Sequence, residues 1–297
     1  MIYRTLGKTG LRVSVVGIGT WQYGGEWGKD FEQAEVNQMF ARGRELGINL
    51  IDTAECYGDH LSERFVGAAV GHQRADWIIA SKFGHHFHAP FERTEPRTPA
   101  DCLKQLDDSL KALQTDYLDI LQYHSWGDTQ FFDEDVLAVL QKAKHDGKIR
   151  FLGNSVGSNV NTKQIQASTA RDIDIIQLIY NRLDAKPDTT TLPICAEQNL
   201  GVLARVPLAS GFLSGKYAPG ARFPAGEVRS KWADPKLDET LAEVQRILRE
   251  EVPAGVPMAQ WALAWCLKNP AVTCVIPGCK SVEQVEDNAR AAKLVSA

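Results

Sequence analysis

An aspartate, a tyrosine, a lysine and a histidine close or follow three consecutive apolar runs, and together they define a chemistry. In "INLIDTAECYG" (48–58) the apolar run ends on Asp52, and Tyr57 follows five positions later. A carboxylate closing such a run needs a cationic partner, because a buried charge without one is costly. Lys82 closes the next run, "WIIASK", and His124 the one after it, "YLDILQYH". An ammonium beside a phenol favours the phenolate, and lowering a tyrosine by about two from its usual pKa near 10 corresponds to about 2.7 kcal/mol. The reading is therefore that Asp52 holds Lys82 charged, Lys82 acidifies Tyr57, and His124 orients a substrate oxygen beside the phenol. With no strong nucleophile and no metal cage, the set suits proton donation to an oxygen that gains charge. That is carbonyl reduction, with hydride supplied from elsewhere. Singly, Lys82 could snorkel to water, His124 could be a satisfied core histidine and Tyr57 could simply pack. Their coincidence on consecutive runs favours chemistry.

Such residues need a scaffold that gathers strand ends. Eight runs rich in Val, Ile and Leu read as strands, at 15–21, 48–52, 77–82, 117–124, 149–155, 174–180, 201–207 and 272–277. Segments 32–46, 61–71, 99–113, 133–146, 158–169 and 187–199 carry helical periodicity between them. The helix over 99–113 has Thr98 as cap, Pro99 at its first position, and Leu103, Leu106, Leu110 and Leu113 on one face. Near-continuous apolar strands alternating with helices predict a parallel sheet covered on both faces. Eight units fit an α/β fold of the closed (β/α)8 TIM-barrel type, as one domain over 1–297, with the active site at the C-terminal ends of its strands. Around Lys8-Thr9-Gly10, two strand-like stretches predict a hairpin that caps the barrel's bottom. The glycine- and proline-marked stretch 208–256, helical from about Pro235, reads as an extended segment after strand seven that contributes to a ligand site. Two motifs are dismissed. "GFLSGKY" is one residue short of a phosphate loop and ends on Tyr217, and "GIGTWQ" has Trp21 and Gln22 where a dinucleotide fingerprint needs its third glycine.

The chain has 297 residues, 44% hydrophobic and 24% charged, which excludes disorder and supplies a large core. A net charge of -4 without a Lys/Arg block argues against nucleic acid. The N-terminal stretch lacks a basic region followed by an apolar core, and no run approaches the roughly 18 apolar residues of a membrane span, so the expected location is the cytoplasm and no membrane partner is expected. Cysteines 56, 102, 195, 266, 274 and 279 show no CxxC spacing and are read as reduced, buried thiols. Cys56 is not taken as a nucleophile, because no histidine is tied to it by spacing. Trp21, Tyr23, Trp27, Phe83 and Trp126 fall on the catalytic rim by position, suggesting an apolar or sugar-stacking substrate pocket. In "HHFH", His85, His86 and His88 lack a spaced carboxylate, so the stretch reads as a rim loop near substrate and no metal is expected.

From residue 3 to about 294 the chain resembles the aldo-keto reductases. The matching pieces are "YRTLGKTGLRVSVVGIGTW", "NLIDTAECYG", "ASKF", "DYLDILQYH", "GKIRFLGNS", "IIQLIYN", "PLASGFLSGKY" and "VIPGCKSVEQVEDN". The resemblance implies a barrel binding extended NADPH or NADP, with NADH also acceptable. Tyr57 would be the general acid, Asp52 and Lys82 its tuning pair, and His124 the orienter. It implies cofactor contacts from Gly19, Thr20, Trp21 and Asp52, with Ser155 and Gln177 on the nicotinamide carboxamide. Arg205, Pro207, Leu208, Ser210, Gly211, Leu213 and Lys216 would follow toward the pyrophosphate, and Gly278, Lys280, Ser281, Gln284 and Asn288 would surround the adenosine end. Val156 replaces the usual asparagine, Gln284 stands where many members have arginine, and Arg205 stands where an aromatic ring commonly stacks on nicotinamide. Arg205 is expected to touch phosphate or to bias the cofactor toward its reduced form, and Lys280 remains for a 2′-phosphate. The substrate implied is a small carbonyl compound. Alternatives left open are a sugar or polyol dehydrogenase and a cofactor-binding regulatory subunit without turnover, as in the channel-associated β subunits of this superfamily.

Overall fold

Alternation along a strand sends every second side chain to the same side, and here it separates two apolar clusters. In the computed structural model, which describes residues 1–95, 98–231 and 234–295, an antiparallel hairpin comes first, made of β1 (Tyr3–Thr5) and β2 (Arg12–Ser14). The parallel sheet begins with β3 (Ile18–Gly19), β4 (Leu50–Asp52) and β5 (Ile78–Phe83). A second small hairpin, β6 (His86–Ala89) and β7 (Glu92–Thr94), interrupts it before β8 (Leu118–His124), β9 (Ile149–Ser155), β10 (Ile173–Ile179), β11 (Gly201–Arg205) and β12 (Cys274–Val275). Neighbours run in the order β3-β4-β5-β8-β9-β10-β11-β12, and parallel bridges Val16↔Val275 and Gly19↔Gly278 join the first strand to the last. The expected eight-stranded α/β TIM barrel is therefore present.

Leu50, Ala80, Ile120, Ile175, Leu203 and Cys274 form the inner cluster, together with Leu6 and Val13 from the first hairpin. Ile51, Ile79, Leu121, Ile176 and Val202, each one residue before or after an inner-cluster residue, face the helices in the outer cluster. The hairpin caps the barrel's bottom as expected, with Lys8 N donating to Asn199 O at 2.8 Å just before β11. Two residues above the inner apolar layer, the same inward faces carry Asp52, Lys82, Gln122, Gln177 and Arg205. A water-excluding plug thus lies directly beneath a polar layer.

Helices at Gln33–Glu45, Leu61–Val70, Pro99–Leu113 and Glu134–His145 match the expected segments closely. The Thr98 hydroxyl accepts from Asp101 N at 3.2 Å, which satisfies one of the free amides of the helix start. Two expectations need correction. Segment 158–169 forms only the short helix Lys163–Gln166 and the start of the turn Thr169–Arg171, and segment 187–199 only the end of the turn Lys186–Asp188 and the short helix Leu192–Glu197. In the first, asparagine side chains take backbone groups: Asn159 Nδ2 donates to Ile179 O at 2.7 Å, and Asn161 Oδ1 accepts from Lys163 N at 3.1 Å. In the second, Pro187 and Pro193 each confine a helix start to their own position. The segment after β11 builds a satellite core of its own, in which Phe212, Leu213, Leu241, Val244 and Ile247 pack on Met258 and Trp261. Its helix begins at Asp234, close to the expected Pro235. No helix among the described residues is long and apolar enough to cross a membrane.

Candidate active site

The polar layer converges as the strand ends predict. Lys82 Nζ donates to Asp52 Oδ2 at 2.9 Å, to Thr53 O at 2.7 Å and to Tyr57 Oη at 3.1 Å. Because an ammonium has only donors, the phenol oxygen accepts, and the tyrosine's own O–H is left to point elsewhere. Burial would lower Lys82, but Asp52 and Tyr57 more than offset it, so the amine is held charged. The expected acidification of Tyr57 does not hold. Burial pushes the phenol up to about 12, with Lys82 pulling it down and Asp52 pushing it up. The ammonium limits a rise that burial would otherwise make larger.

His124 is kept neutral, its pKa well below the usual value, first by burial and then by the nearby charges of Lys82, His85, Arg205 and Arg93. Its Nδ1 lies 3.6 Å from Cys56 Sγ and 3.9 Å from Glu55 Oε2. A histidine is thus tied to Cys56 by the fold, where spacing showed none. Burial nevertheless pushes the thiol well up, so Cys56 keeps its proton and is not an activated nucleophile. This contact allows the thiol to donate to Nδ1, an arrangement that leaves the imidazole proton on Nε2, for which no protein hydrogen bond is found among the described residues. All six cysteines are free and buried, as expected.

A cavity of about 650 Å³ opens over these groups. Asp52, Tyr57, His124, Gln177 and Arg205 line its inner end, together with Gly19, Thr20, Trp21 and Trp27. Pro207, Leu208, Ser210, Gly211 and Lys216 line it from the segment after β11, and Gly278, Lys280, Gln284 and Asn288 from the C-terminal side. Lys82 sits behind Tyr57, almost fully buried. Ser155 stands behind Gln177, donating to its Oε1 at 3.2 Å, and Gln177 Nε2 donates to Asp52 Oδ1 at 2.6 Å.

Several predicted contacts fall elsewhere. Tyr23 is buried against Phe31, Phe40 and Phe65 rather than on the rim. Phe83 and Trp126 pack on Tyr123, with Trp126 Nε1 donating to Gly84 O at 3.0 Å. Position along the chain gave their height in the barrel but not the side they face. Leu213 belongs to the satellite core, and Ser281 caps the helix Val282–Arg290. His85 lines the cavity, whereas His86 meets Gln105 and His88 meets Thr94, so the three do not cluster.

Other site residues carried no local signal. Glu26 accepts from Trp21 Nε1 at 2.7 Å through one oxygen, and through the other from Phe91 N at 2.8 Å and Arg93 Nη2 at 2.6 Å. One carboxylate therefore fixes a rim tryptophan and the β6–β7 hairpin together. Gly24 lets this turn approach Tyr57, since a side chain there would put its Cβ 2.7 Å from the Tyr57 carbonyl carbon. Gln122, two residues before His124 on the same face, could have been found by strand parity; its Nε2 lies 3.4 Å from Asp52 Oδ1.

A (β/α)8 barrel with a buried Lys–Asp–Tyr cluster and a neutral histidine at its C-terminal rim defines a class of site suited to moving protons at a carbonyl. The model of the Aldo/keto reductase family matches residues 15–296, and the chain belongs to that family. It is 31% identical to "L-galactose dehydrogenase" of Arabidopsis thaliana over 97% of this chain and 87% of that protein. It is 30% identical to "Probable voltage-gated potassium channel subunit beta" of Oryza sativa subsp. japonica, over 99% of this chain and 92% of that one. Among solved structures it resembles aldo-keto reductase AKR11C1 from Bacillus halodurans (holo form), with a TM-score of 0.79, 30% identity, and coverage of 99% of this chain and 91% of that chain. Membership in this family supports an oxidoreductase.

Proposed function

We propose that the chain reduces a small aldehyde or ketone to the alcohol with a nicotinamide cofactor, and that Tyr57 is the proton donor. The observation that carries this is the Lys82–Tyr57 contact of 3.1 Å, which fixes the phenol as acceptor toward the amine and frees its O–H for the cavity that His124 also lines. His124 Nε2–H and Tyr57 O–H together hold the carbonyl oxygen. Tyr57 gives that oxygen its proton as the carbon is reduced, and Lys82, anchored by Asp52, stabilises the phenolate left behind. Charge thus develops where a fixed ammonium already stands.

The cavity's far wall suits the cofactor. Ser210 and Gly211, left-handed residues (φ 56° and 92°) of a turn closed by Gly211 N donating to Leu208 O at 2.9 Å, line this wall. Lys216 and Arg229 line the same cavity, with Arg229 Nη1 3.5 Å from Ser210 O. These groups would hold the pyrophosphate, and Gln177 the carboxamide. Lys280, expected at a 2′-phosphate, donates its Nζ to Trp27 O at 2.7 Å, so NADPH and NADH are both to be tested. When bound, the cofactor supplies the hydride.

A panel of aldehydes and ketones assayed with each reduced cofactor, comparing the parent with Tyr57→Phe, tests the assignment. Turnover should fall by about 10²- to 10⁴-fold, as for loss of a general acid, while cofactor affinity stays. Equal turnover in the variant would remove Tyr57 from the role.

A further inference from the structure

Arg205 ends β11 on the inward face, two residues above Leu203 of the apolar plug. Its Nη2 donates to Val156 O at 3.1 Å. Its Nε is buried and bonded to nothing, and among the described residues no carboxylate lies within ion-pair distance of the guanidinium. Asp52 is already engaged by Lys82 and Gln177. The polar layer therefore holds two permanent cations, Lys82 and Arg205, against one carboxylate. A guanidinium cannot shed its charge to relieve this. The contact with Val156 O keeps Arg205 in the layer that carries Tyr57, Asp52 and Gln177, with which it lines the cavity's inner end.

We infer that Arg205 is an electrostatic bias that makes this site hold reduced nicotinamide in preference to oxidised, and so sets the chain to run as a carbonyl reductase rather than an alcohol dehydrogenase. This rests on the reductase reading above. Hydride transfer needs the donor carbon within about 3.5 Å of a carbonyl carbon, whose oxygen must meet Tyr57 and His124. That requirement brings the nicotinamide ring into the space Arg205 borders. The ring is neutral when reduced and carries a positive charge when oxidised, and only such a differential interaction shifts an equilibrium. Two unit charges about 8 Å apart, at an effective dielectric near 20, differ in equilibrium constant by tenfold or more from a charge facing a neutral ring. Arg205, Tyr57, Asp52 and His124 line the same end of the cavity, close enough for its charge to act on all of them.

The test is the ratio of dissociation constants for oxidised and reduced cofactor, measured by titration of the purified protein with NAD⁺, NADH, NADP⁺ and NADPH, without substrate. The parent should favour the reduced forms, Arg205→Gln should shift the ratio at least tenfold toward the oxidised forms, and Arg205→Lys should keep most of the parent's ratio. Circular dichroism confirms that each variant is folded, and if Arg205→Gln does not fold, Arg205→Met, which also removes the charge, takes its place with the same expected shift. A ratio unchanged within twofold in Arg205→Gln overturns the inference. So does an equal loss of affinity for both forms, which is the mark of a phosphate contact. So does an unchanged ratio accompanied by weaker binding of a carboxylate-bearing carbonyl, which would make Arg205 a receptor for substrate charge. A parent that binds no nicotinamide cofactor would instead overturn the reductase reading itself.

Discussion

At the scale of single residues, the site depends on opposed pushes on one phenol. Burial raises Tyr57 to about 12 and Lys82 restrains the rise, so the proton is held firmly across the ordinary pH range. The sign follows from this. With Tyr57 as the proposed proton donor, carbonyl reduction needs it protonated, a condition met at every pH below about 12, so the maximal reductive rate should be flat from pH 7 to 10. Alcohol oxidation needs the phenolate, so its rate should climb by close to tenfold per pH unit over the same interval. Initial rates in both directions, with saturating cofactor, check the pair. A reductive rate that fell with a midpoint near pH 8 would mean that Tyr57 is far more acidic in the working complex than in the free protein. The four polar residues were legible in the sequence because strand ends in a barrel share one rim. The direction of the phenol's shift was not legible, because a sequence shows which charges are near but not how little water is.

Between elements, the cavity is bordered by a strap. The segment after β11 meets the turn that follows β3 through the antiparallel bridge Trp27↔Glu227, with Val228 N donating to Glu26 O at 3.1 Å. Arg229 pairs with Glu227 and lies 5.7 Å over the Trp27 ring, and Lys280 reaches Trp27 O from the other side. Trp27, Arg229 and Lys280, which form or contact this strap, line the same cavity as Tyr57 and Asn288, so a ligand that fills the cavity touches the strap on its way in and out. Glu227→Ala removes the partner of Arg229 and should speed both cofactor association and release several-fold, read by stopped-flow quenching of tryptophan fluorescence, with a smaller change in equilibrium affinity. Unaltered rates would mean that the strap opens without breaking this pair. The helices Gln33–Glu45 and Pro99–Leu113 were readable from periodicity and caps. The strap reads in the sequence only as an insertion near a ligand, because loop-to-loop pairing leaves no period, and the two shortened helices look longer in sequence than they are because asparagine and proline claim the backbone there.

Over the whole molecule, the layered barrel ties stability to the site. Ile120 lies fully buried in the inner apolar layer, two residues below Gln122. Ile120→Ala should cost about 2–5 kcal/mol of folding stability, visible as a fall of several degrees in Tm, while the surviving folded protein keeps its cofactor affinity. Loss of affinity without loss of stability would show that the plug positions the polar layer rather than only supporting it. The barrel was legible in outline because two periodicities, of two in the strands and near 3.6 in the helices, alternate along nearly the full sequence. Pairings such as Glu26 with Arg93 were not, since they join residues that only the finished fold brings together. The seam between Val16 and Val275 and between Gly19 and Gly278 has a temporal consequence. A nascent chain on the ribosome with its eighth strand still in the exit tunnel has seven strands and an open edge, so Asp52, Tyr57, Lys82 and His124 have all been synthesised before the barrel beneath them can close.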